Sequence, residues 1–165
     1  MDSHPKRRPL PSDPSPPFRS AAARSRPTAR SIADSGGAPW AKWVTSSFAN
    51  PIVIPDFSEP QPDLALLTPR GDSYRDALPL PAEVKLVVEV ADSTLRWDRD
   101  VKIALYGRHG IAEAWLVELP RRVVTVYRDP GPQRYRLSME ITQGSVSPQC
   151  LPELQIGIDE IFGPG

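Results

Sequence analysis

Residues 84–110, VKLVVEVADSTLRWDRDVKIALYGRHG, join a strand to a helix and carry a charge that a strand of this kind does not ordinarily hold. Val84, Leu86, Val88 and Val90 alternate with Lys85, Val87, Glu89 and Ala91, and this β-branched enrichment predicts a mostly buried strand. Glu89 then stands as a carboxylate near the end of a Val-rich strand. Desolvating such an ion costs several kcal/mol unless it is paired or bound to a cation, so a cationic partner is expected close by. The following segment supplies candidates. Ser93 or Thr94 is suited to cap a helix whose first turns carry Asp98 and Asp100, with Lys102 one turn beyond Asp98 and Gly110 placed to stop it.

The rest of the chain limits what can surround this unit. With 165 residues, 39% of them hydrophobic, there is room for one domain, although not every part can join a core. The net charge is zero, which removes any argument from a global polycation, but residues 1–43 hold eight Lys and Arg against three Asp and Glu. Those residues are rich in Pro, Ser, Arg and Ala and show no strand or helix period, so they are expected to be a disordered tail. A basic arm of this kind can touch nucleic-acid phosphates, but scattered charges among prolines are more often a solvated tail. The single cysteine, Cys150, excludes an intramolecular disulfide and a zinc-finger cluster, and fits a reducing cytoplasm. No run approaches the ~18 apolar residues of a membrane span, so no membrane partner is expected.

From Val44 the texture becomes that of a folded domain, which is expected to cover 44–165. VTSSFANPIVI (44–54) predicts a strand, and DLALL (63–67) a second, short one that Asp63 begins, sharing a face with Ala65 and Leu67. Taken alone, Asp63 reads better as a loop residue bonded to nearby backbone than as a functional one. After the helix, EAWLVEL (113–119), RVVTVYR (122–128) and RYRLSM (134–139) predict an antiparallel meander, its turns marked by Pro120-Arg121 and by Asp129-Pro130-Gly131-Pro132. IDEIFG (158–163) predicts a short terminal helix. The order of strands, helix and further strands gives an α+β, or mixed α/β, class with a central sheet, a flanking helix and C-terminal antiparallel strands.

Asp63 starting one strand, Glu89 ending the next and Lys102 on the helix after it together suggest a metal site. Two carboxylates at neighbouring strand ends suit a hard divalent cation, Mg2+ or Mn2+, which prefers oxygen ligands and keeps waters that phosphate oxygens can replace. A lysine nearby can orient an attacking water or stabilise charge developing on a phosphate.

Pro62-Asp63, Glu89-Val90, Ser93-Thr94, Asp98, Lys102, Tyr106 and the run GIAEAWLVEL closely resemble the Uma-two (Uma2) family of restriction-endonuclease-like proteins, within the PD-(D/E)XK nuclease superfamily. The resemblance covers about residues 50–162. It implies a restriction-endonuclease-like fold, a DNA substrate and catalytic residues Asp63, Glu89 and Lys102, with the metal held by Asp63, Glu89 and the Val90 carbonyl. The superfamily's usual lysine position, two residues after the glutamate, is Ala91 here. The family pattern moves that lysine to the next helix, where Lys102 stands. Asp98 is expected either to orient Lys102 or to form a plain helix-face ion pair with it, and Tyr106 to be a core residue with a polar tip beside the site. His109 is expected to face the helix dipole rather than to act as a base.

Family members begin with helices and a further strand, and residues 1–43 carry no such pattern. The 44–165 domain is therefore expected to lack part of that N-terminal layer, in the manner of a misread start or a frameshifted segment. Two functions follow, beside a bland reading in which Glu89 and Lys102 are a buried ion pair in a small structural domain. One is a divalent-metal-dependent endonuclease hydrolysing DNA phosphodiester bonds, working as a homodimer through an exposed sheet edge on EAWLVEL or the later strands. The other is a non-catalytic remnant of the nuclease fold that serves as an interaction or nucleic-acid-binding module.

Overall fold

A computed structural model describes residues 45–48, 50–55, 59–92 and 98–163. The 1–43 tail and the Ser93 or Thr94 cap lie outside the described residues. Six strands form one sheet in sequence order: β1 (Thr45–Phe48), β2 (Leu64–Leu67), β3 (Val84–Ala91), β4 (Glu113–Glu118), β5 (Val123–Arg128) and β6 (Leu137–Ile141). Every neighbouring pair is antiparallel except β3 and β4. A parallel pair needs a crossover, and this one contains a π-helical turn, Asp98–Ile103, running into a short helix α1, Ala104–Arg108. Gly110, at φ +78°, ends it in the left-handed region, as expected of a glycine just past a helix. The mixed α+β class and the antiparallel β4–β6 meander agree with the sequence reading.

Two apolar layers cover the sheet. On one face Leu64, Leu66, Leu86, Val88, Trp115 and Val117 pack with Ile158 and Ile161 of α2 (Ile158–Phe162). On the other, Ala65, Leu67, Val87, Ala114 and Leu116 pack under Ile103 and Tyr106. The alternation of β3 therefore sends Val87, Glu89 and Ala91 toward α1, and Val88 toward α2. No described helix is long and apolar enough to cross a membrane.

Three expectations are corrected. The 44–54 segment is not one strand: β1 ends at Phe48 and Ile54 makes only an isolated bridge, consistent with Pro51 lacking the N–H that a ladder requires. EAWLVEL is no edge, since β4 lies between β3 and β5 with every residue of Glu113–Glu118 buried. Among the described strands the two edges are β1 and β6; on β6 Leu137 and Met139 are exposed, and that strand starts later than RYRLSM implied because Tyr135 is drawn in to pack beneath α1. A further hairpin, β7 (Ser145–Val146) with β8 (Ile156–Gly157), was not anticipated.

The descent of Tyr135 depends on Gly107. A Cβ there would stand 2.7 Å from the Tyr135 backbone nitrogen and 2.9 Å from the Arg134 carbonyl carbon. Gly107→Ala must push two backbones apart, and is expected to cost ~1–3 kcal/mol, read as a lower denaturant midpoint at unchanged slope.

Candidate functional site

The β2–β3 ladder pairs Leu64 with Val88. Continued one step it sets Asp63 opposite Glu89, and continued two steps it sets Pro62 opposite Val90. Residues opposite one another share a face, so both carboxylates lie on the α1 side. Asp63 Oδ2 accepts the Val90 N–H at 2.8 Å, which fixes the half-buried aspartate against the end of β3.

Glu89 is 1% exposed and receives the cation its burial demands: Lys102 Nζ donates to Oε2 at 2.8 Å. The Tyr106 hydroxyl, itself fully buried, donates to Oε1 at 2.7 Å. Lys102 and Tyr106 are one helical turn apart, which is why one face of the crossover can serve both oxygens. Burial pushes the Glu89 carboxyl up to about 7, the Lys102 and Tyr106 bonds hold it down against that, and the charge on Asp63 raises it slightly. Two carboxylates thus converge at the end of β2 and β3, with an ammonium beside them.

The third oxygen expected of the set is the Val90 carbonyl. The Ala91 carbonyl accepts from Leu119 N–H on the β4 side, so the Val90 carbonyl, one residue earlier, points the other way, toward β2. There it faces Pro62, which has no N–H to donate. A main-chain oxygen facing a ladder position that offers no N–H, beside two carboxylates, matches the donors preferred by Mg2+ or Mn2+. Among the described residues no three His, Cys, Asp or Glu side chains gather as a metal-binding group.

Asp98 lies in the π-helical turn, and its side chain is outside the described residues. His109 is the residue capping α1, where its backbone N–H reaches Leu105 and Gly107 carbonyls. Sequence reasoning passed over the Gln61 carbonyl, 3.5 Å from Lys102 Nζ, and the role of Pro62, whose signal was a proline immediately before a candidate ligand. It also missed two further buried carboxylates, Glu118 and, on the α2 face, Glu113. Trp115 Nε1 and the Arg128 guanidinium both donate to Glu113 Oε1, at 2.9 Å and 2.7 Å, and Gln149 N–H donates to Oε2 at 2.6 Å. Glu113 anchors the loop after β7 and takes no part in the site.

The model of the Uma2 family, described as "Putative restriction endonuclease", matches residues 30–159. The match begins ahead of the Val44 boundary read from the sequence. Among solved structures, a "putative nuclease belonging to DUF820" from Anabaena variabilis superposes with a TM-score of 0.58 at 18% identity, covering 80% of this chain and 74% of that one. At that identity the likeness speaks for the fold. No curated protein matches the chain.

Proposed function

Because the chain belongs to the Uma2 family, a family of nuclease-like proteins, we propose that it is a divalent-metal-dependent endonuclease that hydrolyses DNA phosphodiester bonds. The observation that carries this reading is the convergence of Asp63, Glu89 and Lys102 at one end of β2 and β3, with Lys102 Nζ 2.8 Å from the buried glutamate. Asp63, Glu89 and the Val90 carbonyl would hold Mg2+ or Mn2+. When bound, the cation supplies Lewis-acid polarisation of the scissile phosphate and a lower pKa for the attacking water.

The protein's own groups do the rest. Val90 N–H keeps Asp63 turned toward Glu89, and Tyr106 fixes the Glu89 carboxylate by its other oxygen. Lys102 carries the positive charge that offsets charge building on the phosphate in the transition state. An ammonium has three donors, so contact with Glu89 is compatible with contact to a phosphate oxygen or the attacking water. Two copies would place two sites on one duplex, and the exposed β6 is one edge strand that can take a second chain.

Thermal unfolding with and without Mg2+ or Mn2+ tests the ligand set. A cation bound only by the folded chain stabilises it by ~2.7 kcal/mol at ~100 times its Kd. The melting temperature of the parent is expected to rise, and that of Asp63→Ala to stay where it was. An Asp63→Ala protein stabilised as much as the parent would put the metal elsewhere.

A further inference from the structure

Beside α1, on the flank away from β2, the chain forms a cleft of about 390 Å³ lined by Ile103, Ala104, Tyr127, Arg134, Arg136 and Ser138. Both charged residues in this lining are arginines, and both are exposed. The volume lies in the ~300–1,000 Å³ range of small-ligand sites. Ile103 follows directly on Lys102, so one crossover forms a wall of the cleft and carries the cation that contacts Glu89.

The Arg134 backbone and the Arg136 side chain are held in place rather than merely present. Gly107 lets the Arg134 and Tyr135 backbone close on α1, and the Tyr135 hydroxyl donates to the Ile111 carbonyl at 2.7 Å. Arg136 N–H closes its loop on the Asp129 carbonyl at 2.9 Å, and the guanidinium donates to Asp129 Oδ1 at 3.0 Å. A side chain at Gly131 would come within 3.3 Å of Arg136 Nε, so glycine leaves room for that arm.

Tyr127 pairs with Ala114 in the ladder, and Ala114 with Val87, two residues before Glu89 on the same face. Two strand spacings and two residues separate the cleft from the carboxylates, ~12 Å, which is a few nucleotides at ~3.4 Å of rise. We infer that this cleft binds a nucleic-acid phosphate on the substrate strand, held by Arg134 and Arg136 with the Tyr127 ring and Ser138 hydroxyl beside it, a few nucleotides from the bond that is cut. Guanidinium forks match phosphate geometry, and an aromatic wall accepts the sugar or base of the same nucleotide. The inference rests on the endonuclease reading for the position of the scissile bond, but the binding itself does not require cleavage.

The test is binding of a fluorescein-labelled oligonucleotide of about 20 nucleotides, single- and double-stranded, followed by anisotropy in chelator across a salt series. Arg134→Ala/Arg136→Ala is expected to bind at least ~10-fold more weakly and to flatten the salt dependence by ~1–2 units of slope, since one or two phosphates are then no longer neutralised by the protein. Its melting temperature should match the parent, because the Arg136–Asp129 pair is exposed. Arg75→Ala/Lys85→Ala removes the same charge outside the cleft lining, and is expected to bind within ~2-fold of the parent. Equal affinity and slope in the Arg134/Arg136 variant, an equal loss in the control pair, or a parent that binds neither oligonucleotide would overturn the inference. A parent that binds through these arginines but does not cut with Mg2+ or Mn2+ upholds the cleft and sinks the endonuclease reading. A variant that binds normally while the parent cuts does the reverse.

Discussion

Replacing Lys102 by Met is expected to lower DNA cleavage by at least ~100-fold, the scale lost when one transition-state stabiliser is removed, while the protein keeps its fold. Met retains most of the aliphatic stem and deletes the ammonium. The concern is Glu89, which would lose its cation while 1% exposed. Lys102 is the largest influence holding that carboxyl down, so its removal moves the pKa above the present value of about 7. Near neutral pH the carboxyl then takes up a proton instead of remaining a bare buried ion, and Tyr106 still bonds it. The opposing account makes Lys102 and Glu89 a purely structural pair. Breaking a buried pair costs up to ~3–5 kcal/mol, but on that account any variant that stays folded should cut at the parent rate. Circular dichroism and a cleavage assay on one preparation separate the two.

Replacing Glu89 by Gln is expected to abolish both cleavage and stabilisation by Mg2+, and to change how stability depends on pH. The sign follows from the direction of the shift. The folded carboxyl titrates near 7 and an unperturbed one near 4.5, so the folded state holds its proton more tightly. The stability this contributes is present below about pH 4.5 and is lost as pH rises through about 7. At ~1.4 kcal/mol per unit, the parent in chelator should lose on the order of 3 kcal/mol across that window. The glutamine variant, with nothing to titrate, should lack this loss. Metal must displace the proton, so stabilisation of the parent by Mg2+ should grow over the same pH range. Denaturant titrations from acid to slightly alkaline pH would show this. A glutamine variant with the parent's pH slope would assign the titration to another group.

What the sequence made legible was governed by local rules. The period of 84–91 announced a buried strand, Glu89 within it demanded a cation, and Lys102 provides one at 2.8 Å. Gly110 marked the helix stop, and the turn residues after β4 marked the meander. What stayed hidden came from packing between distant segments. Nothing near Glu113 announces its burial, which depends on Arg128 standing opposite in the ladder and on Gln149 arriving from a loop 36 residues away. RYRLSM has a strand's alternation, yet Tyr135 leaves the strand because Gly107, 28 positions earlier, opens a place for its backbone. The same displacement turns Arg134 and Arg136 into cleft walls. Asp63 was ambiguous until β2 was registered against β3, since only the register makes it face Glu89.

The central claim is tested most directly by cleavage of supercoiled plasmid by the full chain with Mg2+, with Mn2+ and with chelator, alongside Asp63→Ala. The account predicts nicked and linear products with either metal, none with chelator, and a loss of at least ~100-fold in the variant while its circular dichroism matches the parent. Cleavage that persists in chelator, or that Asp63→Ala retains at the parent rate, would contradict it.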